Sequence, residues 1–346
     1  MSEEPAAQPH KRRPRYAGKN PRRFEDKYKE RNPEQYPEVA AKVLAKGKTL
    51  AGTHRPIMVA EVLAALAPKP GDLAVDCTLG YGGHSREILA AIQPGGRLIG
   101  LDVDPIELPR TEERLRGLGF GPEVFTVKRS NFAGLAQVLT AEGLSGADMV
   151  LADLGISSMQ LDDPSRGFSA KVEGPLDLRM NPQRGQPASA LLVRMRVGEL
   201  VTLLIENADE PHAEDLALAI AGREFATTGE LAKAIRLVLP QRMSEEDRSL
   251  SVRRVFQALR VAVNDEFGAL DTLLRHLPNC LNPGGRVAIM SFHSGEDRRV
   301  KKAFAAGHRD GLYSVIADEV IRASAEERHA NTRSTSAKLR WAIRAA

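Results

Sequence analysis

Residues 75–84 read VDCTLGYGGH, an apolar strand that ends in a Gly-rich turn and leads into a helix. Glycines let the backbone approach a ligand closely, as a nucleotide-like cofactor requires at this point of an α/β fold. The next predicted strand ends at Asp102, about 20 residues beyond the turn, a spacing at which an acid accepts hydrogen bonds from ribose hydroxyls. These features fit both a nicotinamide dinucleotide and S-adenosylmethionine. Because the turn lacks the complete G-x-G-x-x-G pattern, we favour S-adenosylmethionine.

Short apolar runs on either side of this stretch predict buried strands, and amphipathic segments between them predict helices. The predicted strands are residues 73–77, 97–102, 123–127, 148–153 and 286–292, and the first predicted helices are residues 57–66, 84–93, 109–117 and 132–142. Alternation of strand and helix is typical of a parallel sheet with helices on both faces. We therefore predict a doubly wound, mostly parallel, Rossmann-like α/β fold. Residues 312–317 and 339–343 are expected to add an antiparallel pair at its edge.

The segment between the fourth and fifth predicted strands, residues 157–280, is far longer than an ordinary crossover. Its first part, residues 160–186, is rich in Gly, Pro, Asp and Arg and aperiodic, which predicts a long functional loop. Helical spacing of apolar residues follows at 200–207, 214–225, 231–239 and 252–274. We predict a core domain of residues 51–158 and 250–346, interrupted by an inserted loop and helical substrate-binding domain of residues 159–249.

The composition is that of a globular protein, with 42% hydrophobic and 27% charged residues among 346. No apolar run approaches the ~20 residues that span a bilayer, and the first residues carry no apolar segment of the kind a secretory signal needs. Cys77 and Cys280 are far apart, so a disulfide framework and a Cys-based zinc site are not expected. We therefore predict a cytoplasmic protein that does not associate with membranes.

Basic residues are concentrated at the N-terminus. Residues 1–50 contain thirteen Lys and Arg against seven acids, although the net charge of the chain is only +4. Residues 11–31 mix these cations with Tyr16, Phe24 and Tyr28, a composition that suits phosphate contacts and stacking on bases. We interpret residues 1–50 as a flexible extension that contacts nucleic acid. A solvated tail without a partner fits the same composition.

Candidate reacting groups follow the fourth and fifth predicted strands, because a doubly wound enzyme carries them at the carboxyl ends of its strands. Asp153 can accept a hydrogen bond from an exocyclic amine and orient its nitrogen, or it can cap the following turn. His293 borders the same crevice and either orients a substrate or serves the structure alone. Neither cysteine is placed to add to a pyrimidine ring as a thiolate. An amine or a ribose hydroxyl therefore remains as the nucleophile.

Several separate motifs resemble the RsmH (MraW) family of 16S ribosomal RNA cytosine-N4 methyltransferases. They occur in the family's order, from His54 to about Arg344, and include TLGYGGHS (78–85), DLGISSMQLD (153–162), RGFS (166–169), GPLDLRM (174–180), FQALR (256–260) and SFHS (291–294). The resemblance implies a class I methyltransferase domain with an inserted helical domain. It also implies S-adenosylmethionine as cofactor, and 16S ribosomal RNA or the small ribosomal subunit as partner.

Residue roles follow from the resemblance by position. It implies cofactor contacts at Gly82, Gly83, His84, Asp102, Phe132, Asp153 and Gln160. Catalytic candidates are Asp153 and His293, candidate substrate contacts are Asp177, Arg179 and Arg298, and no metal ligand is expected. Phe132 can alternatively fill the core, and Asp177 and Arg179 can simply rigidify their loop. Departures from the family pattern at Met159, Asn181, Gly295, Thr332 and Thr335 leave open a paralogue with another RNA target, or an RNA-binding assembly factor without turnover.

Overall fold

A computed structural model describes residues 56–346, so the predicted basic extension at residues 1–50 lies outside the described residues. Strands of the described part are β1 (Leu73–Asp76), β2 (Arg97–Asp102), β3 (Phe125–Arg129), β4 (Ala147–Asp153), β5 (Leu281–Ser291), β6 (Tyr313–Ile316) and β7 (Lys338–Arg344). They form one sheet in the order β3-β2-β1-β4-β5-β7-β6. β1 to β5 are parallel, and β7 runs antiparallel to both β5 and β6. The predicted doubly wound, mostly parallel sheet with an antiparallel edge pair is confirmed.

Helices connect the strands and build the insert. They are α1 (Val59–Leu66), α2 (Gly83–Ile92), α3 (Glu107–Gly117), α4 (Leu135–Ala141), α5 (Ser158–Asp162), α6 (Ala188–Arg194), α7 (Val197–Ala208), α8 (Ala213–Ile220), α9 (Thr228–Val238), α10 (Glu245–Asn264), α11 (Glu266–Cys280), α12 (Ser294–Arg309) and α13 (Ala325–Ala330). None of the helices among the described residues combines the length and apolarity that crossing a bilayer requires.

The sheet is buried on both faces, which explains why its strands are apolar runs rather than alternating patterns. Successive residues of β2 point to opposite sides: Leu98 packs in the apolar cluster beneath α1, α2 and α3, whereas Ile99 packs in the cluster beneath α4, α11 and α12. Met149 and Val150 of β4 divide between the two clusters in the same way. This period of two fixes which side chains remain at the carboxyl ends of the strands.

The order of the strands creates a topological switch point between β1 and β4. The chain passes outward from β1 through β2 to β3 and then returns to the other side of β1. In open α/β sheets, ligands bind at such a point, outside the carboxyl ends of the strands. The Gly-rich turn after β1 and Asp153 at the end of β4 therefore lie on one crevice.

The insert has its own apolar core, built from the aperiodic loop and helices α6 to α10. Its fully buried members include Leu178, Leu192, Leu200, Leu204, Leu216, Ile220, Leu231, Ile235, Val255 and Leu259. The helix α10 supplies Val255 and Leu259, so this core continues past the predicted domain limit at residue 250. The domain limits themselves stay a prediction.

The predicted amphipathic segment 252–274 is divided into two helices at Asp265. Asp265 adopts a left-handed conformation, with φ of 48°, between α10 and α11. The break is needed because α10 packs in the insert, whereas α11 packs Leu270 and Leu273 against the sheet. Aspartate tolerates this conformation better than most residues, since its short polar side chain bonds locally.

Candidate active site

The Gly-rich turn joins β1 to α2 in a conformation that favours glycine. Gly80 and Gly82 have φ of 47° and 76°. A Cβ atom at Gly82 would also lie 2.9 Å from Cγ2 of Thr111 on α3. The hydroxyl of Thr111 donates to the Gly80 carbonyl at 2.6 Å. The turn is therefore held against α3 with no room for a side chain at Gly82.

Asp102, at the end of β2, contacts this turn directly. Its Oδ2 accepts a hydrogen bond from the Gly80 amide at 2.7 Å, and its Oδ1 accepts one from the Asp104 amide at 2.9 Å. Burial raises the pKa of Asp102 to about 6 although both amides favour the ionised form. The acid identified by spacing and the Gly-rich turn thus form one unit.

A further acid, Asp76, lies at the end of β1 and is buried. Its Oδ2 accepts a hydrogen bond from the Ser85 hydroxyl at 2.6 Å, and its Oδ1 accepts one from the Thr78 amide at 3.0 Å. Burial raises the pKa of Asp76, and these hydrogen bonds oppose that shift. The Thr78 hydroxyl accepts a hydrogen bond from the Asp153 amide at 2.6 Å, which ties the end of β4 to the turn after β1.

Asp153 carries the most unusual carboxylate of the crevice. Its Oδ1 is buried and has no hydrogen-bond partner among the described residues. Burial raises the pKa of Asp153 to about 6; His84 lowers it, whereas the nearby Asp76 and Glu296 raise it further. A buried acceptor of this kind is rare in folded proteins and is suited to a donor that arrives with a ligand.

His84, on the first turn of α2, faces Asp153. Its Nδ1 lies 3.6 Å from Oδ2 of Asp153, and its Nε2 lies 2.9 Å from the Ile57 carbonyl. A carbonyl oxygen only accepts, so Nε2 must carry a hydrogen and donate it. When the ring is protonated, Nδ1 carries the second hydrogen on the side that faces Asp153, and this charge lowers the pKa of that acid.

Gln160 is linked to the end of β2 through Asp104. It forms a reciprocal capping box with Ser157 at the start of α5, and its Nε2 donates to Oδ2 of Asp104 at 2.8 Å. Phe132 is partly buried against the cluster beneath α4 and α11, in a turn capped by Asn131. The structure therefore brings His84 and Asp153 together and links Gln160 to Asp102 through Asp104.

The candidate substrate residues occupy two separate places. Asp177 and Arg179 bond to each other, since Nε and Nη2 of Arg179 donate to the two carboxylate oxygens at 2.7 Å each. Burial opposes the shift, but Arg179 lowers the pKa of Asp177. Arg298, 56% exposed on α12, lies 3.5 Å from Asp209 at the end of α7, where Ser294 also donates to Asp209 at 2.7 Å. Arg298 thus marks the junction between the core domain and the insert.

His293 belongs to a buried ionic cluster that the sequence did not reveal. Glu296 Oε1 lies 3.2 Å from its Nε2, without the alignment of a hydrogen bond, and Glu266 is close to both. Such a set has the residue types of a metal site. However, Arg260 donates to both oxygens of Glu266, at 2.7 and 2.9 Å, so a positive charge already compensates that carboxylate. We assign the cluster to an ion-pair network, and the catalytic role of His293 stays a prediction.

Arg166 was also missed, although the RGFS motif that contains it was recognised. Its buried guanidinium donates to Asp104 at 2.8 Å and to the Met180 carbonyl at 2.7 Å. Arg260 and Glu296 likewise lie within or beside motifs that carry the family resemblance, FQALR and the segment after SFHS. The motifs indicate that these residues belong to the family pattern, but only the tertiary structure shows which partner each side chain has.

Comparison with known proteins gives concordant matches. A family model described as the MraW methylase family matches residues 51–345. Ribosomal RNA small subunit methyltransferase H 1 of Lachnoclostridium phytofermentans is 51% identical over 344 residues, covering 97% of this chain and 93% of that protein. Ribosomal RNA small subunit methyltransferase H 2 of Alkaliphilus metalliredigens is 50% identical over 342 residues, covering 96% and 97%.

These matches confirm the resemblance that the separate motifs predicted, and they cover the insert as well as the sheet. A methylase family model over the cofactor turn also removes the nicotinamide alternative that the turn alone left open. Because the family model matches nearly all of the described residues and the relatives are about half identical over almost their full lengths, the chain belongs to the MraW methylase family.

Proposed function

We propose that the chain transfers a methyl group from S-adenosylmethionine to the N4 exocyclic amine of a cytidine in the decoding region of 16S ribosomal RNA. The observation that carries this proposal is the buried Oδ1 of Asp153 at the switch point of the sheet, which has no hydrogen-bond partner in residues 56–346. Leaving a buried acceptor without a donor costs free energy, and an exocyclic amine supplies that donor. The names of the relatives support small-subunit ribosomal RNA as the substrate.

The charge of the crevice supports S-adenosylmethionine as the cofactor. Asp76, Asp102 and Asp153 end three adjacent strands, and burial raises the pKa of each. Clustered carboxylates favour a cation and disfavour the anionic pyrophosphate of a dinucleotide. The sulfonium of S-adenosylmethionine is cationic, so these residues fit it. When bound, it supplies an electrophilic methyl group.

Each proposed cofactor contact has a distinct task. Asp102 accepts from the ribose hydroxyls, and the backbone of Gly82 and Gly83 allows close approach. The remaining proposed contacts are His84, Phe132, Asp153 and Gln160. Gln160 acts by ordering the turn after β2, which contains Asp102 and Asp104, through its hydrogen bond to Asp104. Phe132 offers an apolar ring edge next to the strand end, where an adenine can pack.

Asp153 orients the amine and takes its proton. Its Oδ1 accepts a hydrogen bond from N4, which directs the nitrogen toward the methyl carbon. As the bond from nitrogen to carbon forms, the bond from that carbon to sulfur breaks and the amine loses one proton. With a pKa of about 6, Asp153 is ionised at neutral pH and accepts this proton more readily than an exposed aspartate would.

The RNA is held by groups around the mouth of the crevice. Arg298 lies at the junction with the insert, and the turn that contains Asp177 and Arg179 borders the insert's core. We propose that the basic residues 1–50 add sequence-independent phosphate contacts. A ribosomal RNA substrate places this reaction in the cytoplasm.

The direct test is replacement of Asp153 by alanine. We expect loss of N4-methylcytidine when the purified variant is incubated with unmodified small ribosomal subunits and S-adenosylmethionine, measured by mass spectrometry of the nucleosides. Asp310→Ala, at the exposed end of α12, is the matched control and should retain wild-type methylation. Wild-type activity of Asp153→Ala would refute the assigned role. An unchanged nucleoside profile in cells that lack the protein would favour an assembly factor without turnover.

A further inference from the structure

The acidic turn after β2 connects the cofactor side of the crevice to the insert. Asp104 is 1% exposed, and its amide donates to Oδ1 of Asp102 at 2.9 Å. Its own Oδ2 accepts hydrogen bonds from Gln160 and from Arg166, both at 2.8 Å. Asp104 is therefore hydrogen-bonded to Asp102, the proposed ribose-binding acid, on one side. On the other side it is hydrogen-bonded to Gln160 and Arg166, which follow β4 in the chain.

Arg166 extends this connection to a distant part of the chain. It is nearly as buried as Asp104, and its Nη2 donates to the carbonyls of Met180 at 2.7 Å and Arg179 at 3.2 Å. In return, the Leu178 amide donates to the Arg166 carbonyl at 3.3 Å. A guanidinium is suited to this bridge because its planar fork holds donors in fixed directions.

The turn at residues 177–180, whose carbonyls accept hydrogen bonds from Arg166, is strained. Leu178 is fully buried and has φ of 64°. This is the left-handed region, which residues other than Gly, Asn and Asp rarely adopt. Such a conformation persists only where surrounding contacts impose it, and it is concentrated at functional sites. Here, Asn264 at the end of α10 accepts from the Met180 amide at 2.7 Å and donates to the Leu178 carbonyl at 2.8 Å.

The strained turn lies between the two candidate substrate residues. Asp177 precedes Leu178, and Arg179 follows it with its amide bonded to Oδ1 of Asp177 at 3.0 Å. The direction of the Asp177–Arg179 pair therefore depends on the conformation of Leu178. Any group that stabilises this conformation also orders the pair.

We propose that Arg166 is a positioning residue that couples cofactor binding at Asp102 to RNA binding at residues 177–180. This inference rests on the proposed function. A cofactor that orders the acidic turn also orders Asp104 and, through Arg166, the strained turn. Coupling between two binding sites is reciprocal, so bound RNA must tighten cofactor binding by the same factor. We expect a factor in the usual range, about 5- to 150-fold.

The test compares Arg166→Lys with wild-type protein. Lysine keeps the charge beside Asp104 but donates from a single nitrogen, so it lacks the two separate nitrogens with which Arg166 bonds Asp104 and the carbonyls. The probe is unmodified small ribosomal subunits, whose affinity is measured with and without S-adenosylhomocysteine. We expect at least about fivefold tightening in the wild type and a ratio near one in Arg166→Lys. Calorimetry without RNA should show little change in S-adenosylhomocysteine affinity. Arg236→Lys, in an ion pair between α9 and α10, is the matched control and should keep the wild-type ratio.

A measurement on the unaltered protein guards against a variant that does not fold. Hydrogen exchange of the amides of residues 178–180 should slow when S-adenosylhomocysteine is added without RNA. Unchanged exchange, or a wild-type ratio in folded Arg166→Lys, would overturn the coupling. Failure of the proposed function looks different, because the wild type would then neither bind the subunits nor methylate them.

Discussion

The side chains of His84 and Asp153 face each other across the switch point, with 3.6 Å between Nδ1 and Oδ2. The Ile57 carbonyl fixes one hydrogen of His84 on Nε2, so a second proton on the ring is carried by Nδ1, which faces the carboxyl group. Asp153 therefore has one oxygen toward the imidazole of His84 and one, Oδ1, without a partner among the described residues.

Replacement of His84 by glutamine should shift the pH dependence of methyl transfer. Glutamine can still donate to the Ile57 carbonyl, but it cannot carry the positive charge of the protonated imidazole, which lowers the pKa of Asp153. The pKa of Asp153 should rise above about 6, so that the acidic limb of the kcat profile moves to higher pH. We expect a larger loss of rate at pH ~6.5 than at pH ~8.5.

The control for this variant is His329→Gln, on exposed α13, which should reproduce the wild-type profile. Calorimetry with S-adenosylhomocysteine separates a loss of cofactor affinity from a change in the profile. An acidic limb in His84→Gln that coincides with that of the wild type would contradict the assigned pairing.

Replacement of Asp153 by asparagine should stabilise the cofactor-free protein above pH ~6 while abolishing methyl transfer. The pKa of Asp153 is raised from 3.8 to about 6 by burial, so the folded state binds the proton more tightly than the unfolded state does. The stabilisation from this group is therefore complete below pH ~4 and is lost as the pH rises through ~6. Asparagine avoids the buried charge and should raise the free energy of unfolding at pH ~7.5 by about 1–3 kcal/mol.

Urea denaturation at two pH values provides the measurement. At pH ~4 the wild-type carboxyl group is largely protonated, so the gain from asparagine should vanish there. A gain of equal size at both values would show that a process other than ionisation of Asp153 is responsible. Stabilisation with loss of activity is the expected signature of a carboxylate kept for function.

Replacement of Gly82 by alanine should weaken cofactor binding by distorting the turn. Two penalties combine at this position, a φ of 76° and a Cβ atom that would lie 2.9 Å from Thr111. Gly71→Ala is the matched control, since Gly71 has φ of 88° but no atom lies within 4 Å of the place that its Cβ atom would take. We expect Gly71→Ala to cost about 1 kcal/mol and Gly82→Ala to cost clearly more.

Calorimetry with S-adenosylhomocysteine and thermal unfolding together check this prediction. Cofactor affinity should fall in Gly82→Ala and stay at the wild-type value in Gly71→Ala. Equal behaviour of the two variants would mean that backbone conformation alone, without contact against α3, determines the requirement for glycine.

Local sequence features predicted the sheet well because each strand's apolar run and each Gly-rich end reflects burial and backbone geometry at that place. The distance along the chain from the turn to Asp102 was enough to bring both to one crevice, since parallel strands end at the same edge. The amphipathic pattern of residues 252–274 did not indicate the break between two helices at Asp265. This pattern continues through both helices, and the break depends on which core each half joins.

The sequence by itself determined the doubly wound sheet, the cofactor turn, Asp153 as the candidate acceptor and membership of a methylase family, since these follow from period, spacing and motif. Only the tertiary structure decided the partners of the charged side chains. Arg166 meets Asp104 from 62 residues away, and Asn264 meets Leu178 from 86 residues away. The local sequence around a charged residue does not predict its partner, because the partner is determined by packing between elements that are distant in the chain.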